Sequence, residues 1–261
     1  MNKELKVIFA SIGIVFLILN AWYFTYHIGC FSLFIPILIM LILASSYIEI
    51  KLKQKECFRN CYFKENTLIS KLIMSPYLTS VFYILLSICY TVTLIYNILY
   101  FDIKFYLLII IFIFIAFKIY LFILNLFSEI VNDTQVEIFS REITSKITAV
   151  LLFGVYMFIF INSYEPEYLK ETLEETLSVA TNSISSNCMY IDTILRIKIE
   201  IDAQLWFYMT SLDNELGNKN LKIISWVIFI IFNTMSILGL NRLIIQIIYI
   251  ANKNFKDKNG N

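Results

Sequence analysis

The chain has 261 residues, of which 59% are hydrophobic and only 16% are charged. Soluble domains are roughly 45–50% apolar and about 25% charged. Because so few polar residues cannot cover a water-soluble globule, this composition excludes a soluble domain and requires lipid as solvent for much of the surface. The net charge of +1 says little as a total, since the distribution of charge along the chain decides the topology.

Apolar runs follow one another along the chain. A hydrocarbon core of about 30 Å requires about 20 apolar residues in a helix. We predict six spans on this criterion, at about 7–26, 31–48, 76–100, 105–127, 147–162 and 222–250. Ser75 and Pro76 suit the N-cap and first helical position of the third span. The predicted fold class is an all-α integral membrane protein, a six-transmembrane-helix bundle.

Polar segments divide this bundle into three regions. Residues 1–162 hold five spans, an inner basic loop at 49–75 and an amphipathic inner segment at 128–146. The amphipathic segment is expected to lie on the membrane surface or to extend the fourth span. Residues 163–221 are predicted to form a small helical extracytoplasmic cap between spans five and six. Residues 222–261 hold the sixth span and an inner polar tail.

Lysine and arginine counts predict the orientation. With the N-terminus inside, the inner segments hold fourteen Lys/Arg residues and the outer segments hold six, as the positive-inside rule expects. Trp22 and Trp226 then fall at the outer interface, where indole rings favour the headgroup level. We therefore predict a multi-pass protein of the cytoplasmic membrane, with both termini cytoplasmic.

The inner basic loop is a candidate contact surface for anionic lipid or for a partner. The residues that would make this contact are Lys51, Lys53, Lys55, Arg59 and Lys64. Topology alone also explains their charge, and nucleic acid is not expected as a partner beside two spans.

A metal site is not predicted in this loop. Cys57 and Cys61 would need further ligands to hold zinc, and the sole histidine, His27, is distant in sequence. No cofactor is predicted elsewhere in the chain.

The predicted cap is acidic, with ten Asp/Glu against five Lys/Arg when Lys222 at its border is included, and can gather cations at a pore mouth. Pro166 can open one amphipathic helix, and a second is expected after about Ile191. The alternation over 195–201 also suits a strand, but a lone strand has no ladder partner, so helix is favoured. Cys30 and Cys188 are both predicted outside, which permits a disulfide that would pin the cap.

The third span carries polar residues at helical spacing along the depth of the bilayer. Together with Lys118 in span four they form a candidate polar path: Ser80, Tyr83, Ser87, Tyr90, Asn97 and Lys118. The stripe either lines a hydrophilic path or supplies interhelical hydrogen bonds, and its hydroxyls can also bond their own helix.

Lys118 is the one charge well inside a predicted span, and no acidic residue within a span can pair with it. It is expected to snorkel, to be hydrated, or to tune an ion path.

Span six carries a second stripe, which we interpret as interfacial anchoring with Arg242 reaching the inner headgroups. Its members are Gly239, Arg242, Gln246, Tyr249 and Lys253.

No HExxH, GxSxG, GxGxxG or P-loop motif occurs in the sequence, so we predict neither catalytic residues nor enzyme activity. The favoured hypothesis is a non-catalytic subunit of a small pore or membrane effector, working as a homo-oligomer or with a membrane-protein partner. One alternative is the permease subunit of an ATP-driven exporter with an ATPase docked on the basic loop, an analogy of layout alone. Another is a membrane scaffold or immunity protein that binds its partner through the cap.

Overall fold

The computed structural model describes residues 3–62, 75–163, 166–211 and 219–257. These residues form α1 (Lys3–Thr25), α2 (Phe34–Tyr62), α3 (Pro76–Ile98), α4 (Ile103–Ser128), α5 (Asp133–Ser163), α6 (Leu173–Asn182), α7 (Met189–Ser211) and α8 (Lys219–Asp257). A short 3-10 helix, Cys30–Leu33, joins α1 to α2. The described ranges contain no strand, which confirms the all-α prediction, and residues 195–201 lie within α7.

Five helices of the described chain are long and apolar enough to cross a membrane, consistent with a multi-pass membrane protein. They are Glu4–Thr25, Cys30–Glu56, Pro76–Ile98, Ile103–Ser128 and Ile223–Phe255. These helices correspond to predicted spans one to four and six. The predicted fifth span, 147–162, belongs to α5, which is not among the five; the side chains of residues 159–163 lie outside the described part.

Two polar segments differ from the sequence-based expectation. The predicted inner basic loop, 49–75, begins as helix, because α2 continues to Tyr62 through lysine, glutamate and glutamine residues that favour helix. The inner segment 128–146 breaks at residues 129–132 and then enters α5, so it extends the fifth predicted span rather than the fourth. The predicted start of α3 is confirmed, since Ser75 caps it and Pro76 opens it.

Helix α8 lies at the centre of the described bundle. It packs against α1, α2, α3, α4, α5 and α7, and every residue from 239 to 249 is buried. A Cβ at Gly239 would lie 3.2 Å from the Cβ and carbonyl oxygen of Tyr90, so this glycine permits the close approach of α3. Towards α5, the Asn241 amide donates to the Ser145 carbonyl and accepts from the Thr148 hydroxyl, both at 2.8 Å.

Helices α6 and α7 belong to the segment that the sequence predicts as a cap, and this name is kept below. They lie at the end of the bundle that carries the α1–α2 connection, called the outer end below. Cys30 and Cys188 form a disulfide with their Cα atoms 4.6 Å apart, the pairing that the sequence permitted. The Ser186 hydroxyl also donates to the Tyr26 carbonyl at 2.6 Å. The buried face of α7 repeats every three to four residues and consists of Ile191, Leu195, Ile199, Ala203 and Trp206.

Candidate functional site: two buried charge clusters

Polar side chains from α2, α5 and α8 meet at the inner end of the bundle, opposite the cap. This inner cluster consists of Glu49, Lys51, Arg141, Glu142, Arg242 and Gln246. The two helical extensions create it, because α2 continues past its predicted span and α5 begins before its own. Each extension presents charged residues to the central helix α8.

Arg141 is 1% exposed and is held from three sides. Its Nη1 donates to Glu49 Oε2 at 2.8 Å, and its Nη2 donates to Gln246 Oε1 at 2.6 Å. Its guanidinium carbon lies 4.0 Å from the centre of the Tyr249 ring, within the range of a cation–π contact. The side chain therefore joins all three helices of the cluster.

Glu142 is the carboxylate shared by the remaining cations of the cluster. Its Oε1 lies 2.8 Å from Lys51 Nζ and 3.6 Å from Lys146 Nζ, and its Oε2 lies 3.5 Å from Arg242 Nη1. Lys146 is largely exposed, whereas Arg242 is buried. One acid thus connects the surface of the inner end to a fully buried arginine.

The inner cluster retains unused hydrogen-bonding capacity. The Nε atoms of Arg141 and Arg242 are buried, and neither has a hydrogen-bond partner among the described residues. The cluster also holds three cations, Lys51 and the two arginines, against the two carboxylates of Glu49 and Glu142. Its surplus of positive charge and its unpaired donors both favour an anion or water over a cation.

The inner cluster lies within the depth of the bundle and not at its margin. Arg242 follows Phe232 by ten residues, roughly 15 Å of helix, and Phe232 contacts the cap through Lys198. The interpretation of Arg242 as an interfacial anchor is therefore wrong, because the extensions of α2 and α5 cover it. Gln246 and Tyr249 of the same predicted stripe likewise bind Arg141 instead of facing the headgroups.

Three tyrosines continue the polar contacts from Arg242 to α3. The Arg242 guanidinium lies 4.5 Å from the centre of the Tyr47 ring. Tyr47 stacks on Tyr83 with a centroid distance of 5.6 Å and lies 5.9 Å from Tyr90. Two members of the predicted polar path, Tyr83 and Tyr90, are thus brought together and linked to the inner cluster.

An outer cluster lies where α7 crosses the outer ends of α3 and α8. Lys198 Nζ and Asp202 Oδ2 are 2.5 Å apart, and both side chains are buried. The ammonium also lies 4.6 Å from the centre of the Tyr96 ring and 6.0 Å from that of Phe232. An ion pair from the cap is therefore inserted against the end of the polar face of α3.

Burial governs the titration of the outer pair. It raises the pKa of the Asp202 carboxyl, although the charge and hydrogen bond of Lys198 and a hydrogen bond from Tyr96 oppose this change. Burial likewise lowers the pKa of the Lys198 ammonium against the effect of Asp202. Removing both groups from water thus disfavours their charged forms.

The remaining residues of the predicted path do not join this chain of contacts. The Ser80 and Ser87 hydroxyls donate to the carbonyls of Pro76 and Tyr83 in their own helix, at 2.8 and 2.7 Å. Asn97 is half-buried at the outer end of α3.

Lys118 lies apart from both clusters and is half exposed. Its ammonium pairs with Glu4 at 2.7 Å, a partner that precedes the apolar run of α1. Because Glu4 lies outside every predicted span, this pair is not predicted from the sequence.

The five basic candidates for lipid or partner contact have different surroundings. Lys51 belongs to the inner cluster, whereas exposed Lys53 lies 3.7 Å from Glu49, and Lys55 donates to the Thr79 hydroxyl at 2.7 Å. The side chain of Arg59 and the whole of Lys64 lie outside the described residues, as do the side chains of Cys57 and Cys61. In the ranges that are described, no group of three His, Cys, Asp or Glu residues could hold a metal ion.

Sequence reasoning missed Glu49, Arg141 and Glu142 as members of a site. From the sequence, Arg141 enters only the count of inner Lys/Arg residues, and no role is assigned to Glu49 or Glu142. The sequence did contain one indication of this cluster. Three charges lie within a few residues of predicted span ends, and such charges must find partners when those ends are helical and buried.

No protein-family model, curated protein or solved structure matches this chain. A function must therefore be inferred from the geometry of the two clusters.

Proposed function

We propose that the chain is a six-span protein of the cytoplasmic membrane, with both termini cytoplasmic and the cap outside. The contacts at the two ends of the bundle support an even number of crossings. Cys30 and Lys51 lie towards opposite ends of the apolar helical span Cys30–Glu56. Cys188 is bonded to Cys30, and Glu142 is paired with Lys51. The chain between Glu142 and Cys188 must therefore pass from the inner to the outer end.

Of the helices described between Glu142 and Cys188, α5 alone is long enough to make this passage. It has 31 residues, whereas α6, the other helix between Glu142 and Cys188, has ten. A crossing by α5 raises the number of spans from five to six. The positive-inside distribution then assigns the basic end to the cytoplasm, and the disulfide suits an oxidising outer compartment.

We propose further that the protein is a non-catalytic, channel-like subunit that passes small ions along the polar face of α3. The observation that carries this proposal is the position of the two buried charge clusters at either end of that face. Buried charges inside a membrane bundle are costly and commonly mark ion pathways or gates. A purely structural bundle could fill the same positions with apolar residues at equal or lower cost.

The two clusters are proposed to close the path in the resting protein. Because α8 fills the centre of the described bundle, ions would pass between α3 and its neighbours only when these contacts separate. The positive surplus of the inner cluster favours anions over cations, since arginine and lysine line anion pores. Assembly of several copies remains part of the proposal, and the mass of the purified complex tests it.

The test is ion flux through vesicles that contain the purified protein, measured separately for chloride and potassium. Arg242→Gln breaks the contact with Glu142 and also removes the positive surplus of the inner cluster, so we expect total ion flux to rise several-fold while the preference for chloride over potassium falls. Tyr90→Phe is a milder second variant, which removes one hydroxyl from the path with little change in packing. Ser80→Ala is the matched control, because its hydroxyl bonds only its own helix in the described structure.

Vesicles that pass neither ion with the wild type, with Arg242→Gln and with Tyr90→Phe would overturn the proposal. Equal flux through wild type, Arg242→Gln and Tyr90→Phe would do the same.

A further inference from the structure

A cavity of about 250 Å³ lies at the inner end between α1, α4, α5 and α8. It is distinct from the inner cluster, although Tyr249 borders both. One face of the Tyr249 ring contacts Arg141, and its hydroxyl donates to Glu137 Oε2 at 3.3 Å inside the cavity wall. None of the six residues of the inner cluster lines the cavity, so the two sites share only the neighbouring Tyr249.

Two opposite charges flank Tyr249 in this cavity. Glu137 accepts from the tyrosine hydroxyl and forms no ion pair within the described residues. Lys253 places its Nζ 6.0 Å from the centre of the same ring and is exposed. The cavity thus offers the carboxylate of Glu137 and the ammonium of Lys253 to a ligand, whereas the other lining carboxylate, Glu4, is already paired with Lys118 at 2.7 Å.

The rest of the wall is largely apolar. Val7 of α1 and Leu121 and Leu124 of α4 line it. The polar groups come from the segments where α1, α5 and α8 change from charged to apolar sequence, with Glu4 just before the apolar run of α1. A charged rim over an apolar wall matches the boundary between the headgroups and acyl chains of a bilayer.

From this geometry we infer that the cavity binds the headgroup of a phospholipid that carries a primary amine, of the phosphatidylethanolamine type. The amine donates to Glu137, the phosphate pairs with Lys253, and an acyl chain follows Leu121 and Leu124 along α4. A primary ammonium has three N–H donors for the carboxylate, whereas a quaternary ammonium has none. A headgroup without any cation leaves Glu137 unpaired beside a phosphate. This inference goes beyond the proposed ion path and does not depend on it.

Native mass spectrometry of the purified protein tests the inference, with phosphatidylethanolamine, phosphatidylcholine and phosphatidylglycerol added one at a time. We expect the wild type to retain phosphatidylethanolamine about tenfold better than the other two, as one charge-assisted hydrogen bond allows. Glu137→Gln should abolish that preference. Lys253→Gln should weaken the binding of all three lipids, because each carries a phosphate.

The controls are Glu129→Gln and Lys6→Gln, which remove exposed charges that do not line this cavity. Both should bind like the wild type. Leu124→Trp fills the apolar wall while leaving both charges in place, so it should lower retention of all three lipids even if Glu137→Gln fails to fold. Equal retention of the three lipids by the wild type, or an unchanged preference in Glu137→Gln, would overturn the inference.

Discussion

Arg141 illustrates how a strongly hydrophilic side chain is kept inside the bundle. A carboxylate, an amide oxygen and an aromatic face surround its guanidinium. Such groups compensate part of the cost of removing an arginine from water, but a buried ion pair contributes little net stability. The free energy of unfolding falls much more when one partner of the ion pair is removed and the other stays buried.

Glu142→Gln should show this asymmetry. Lys51 and Arg242 would lose their shared carboxylate, so we expect a loss of about 3–5 kcal/mol in the free energy of unfolding. Thermal melting in mild detergent measures it. The control is Glu56→Gln, an exposed acid on α2, and equal melting of both variants would contradict the expectation.

The outer ion pair gives a second residue-scale prediction. Lys198→Met with Asp202→Leu replaces both charges by apolar groups of similar size, so the double variant should match or exceed wild-type stability. Lys198→Met leaves the buried Asp202 carboxylate without its partner and should cost about 3–5 kcal/mol at pH 7. A double variant as unstable as Lys198→Met would show that the pair is needed for packing itself.

The same double variant also isolates the pH dependence of the pair. Because burial raises the pKa of Asp202, its protonation favours the folded state. The stabilisation that this raised pKa provides is full below the pKa of Asp202 in the unfolded state, about 3.9. It is lost as the pH rises through the pKa of Asp202 in the folded state. The stability of the wild type relative to the double variant should therefore increase from pH 7 to pH 4, and a constant difference would contradict this sign.

At the scale of single helices, the sequence predicted most of what the structure shows. The apolar runs of predicted spans one to four and six are helices in the structure. Ser75 and Pro76 begin α3, as the capping preferences of serine and proline predict. The ends of α2 and α5 were missed for two reasons. The polar composition of 49–75 predicts a loop, although lysine and glutamate prolong helices readily, and the amphipathic segment 128–146 is assigned to the membrane surface or to span four rather than to span five.

The contact between α3 and α8 can be tested at Gly239. A valine there would press on Tyr90, whose Cβ lies 3.2 Å from the position of an added Cβ. We expect Gly239→Val to destabilise the protein by about 1–3 kcal/mol, in a melting experiment. Gly154→Val on α5 is the matched control, since no atom lies within 4 Å of its added Cβ. If the two valine variants melt together, α3 and α8 are less closely packed than described.

At the scale of the whole molecule, the inner cluster could not be read from the sequence. Its partners are far apart along the chain: Arg141 and Glu49 are 92 residues apart, and Arg242 and Glu142 are 100 apart. Helical periodicity identifies which residues share a face, but it does not tell which faces meet. The Cys30–Cys188 pairing could be predicted from the sequence, because the predicted topology alone places both cysteines on the same side of the membrane and no knowledge of helix packing is needed.

The number of crossings is open to a direct labelling experiment. Glu129→Cys and Glu171→Cys, each in a background without Cys57, Cys61 and Cys89, place single thiols before and after α5. A membrane-impermeant maleimide applied to intact cells should modify only the thiol at position 171. Modification of both positions, or of neither, would indicate that α5 does not cross and that the chain has five spans.

The Cys30–Cys188 bond also has a consequence for biogenesis. Its two thiols are separated by 158 positions, and the intervening chain includes α2, α3, α4 and α5. If the proposed topology holds, Cys30 stays reduced or transiently paired during synthesis until these four helices have inserted and the cap has been exported. Oxidation of this pair would then mark insertion of α2 to α5, and it can precede insertion of α8, which follows Cys188 in the chain.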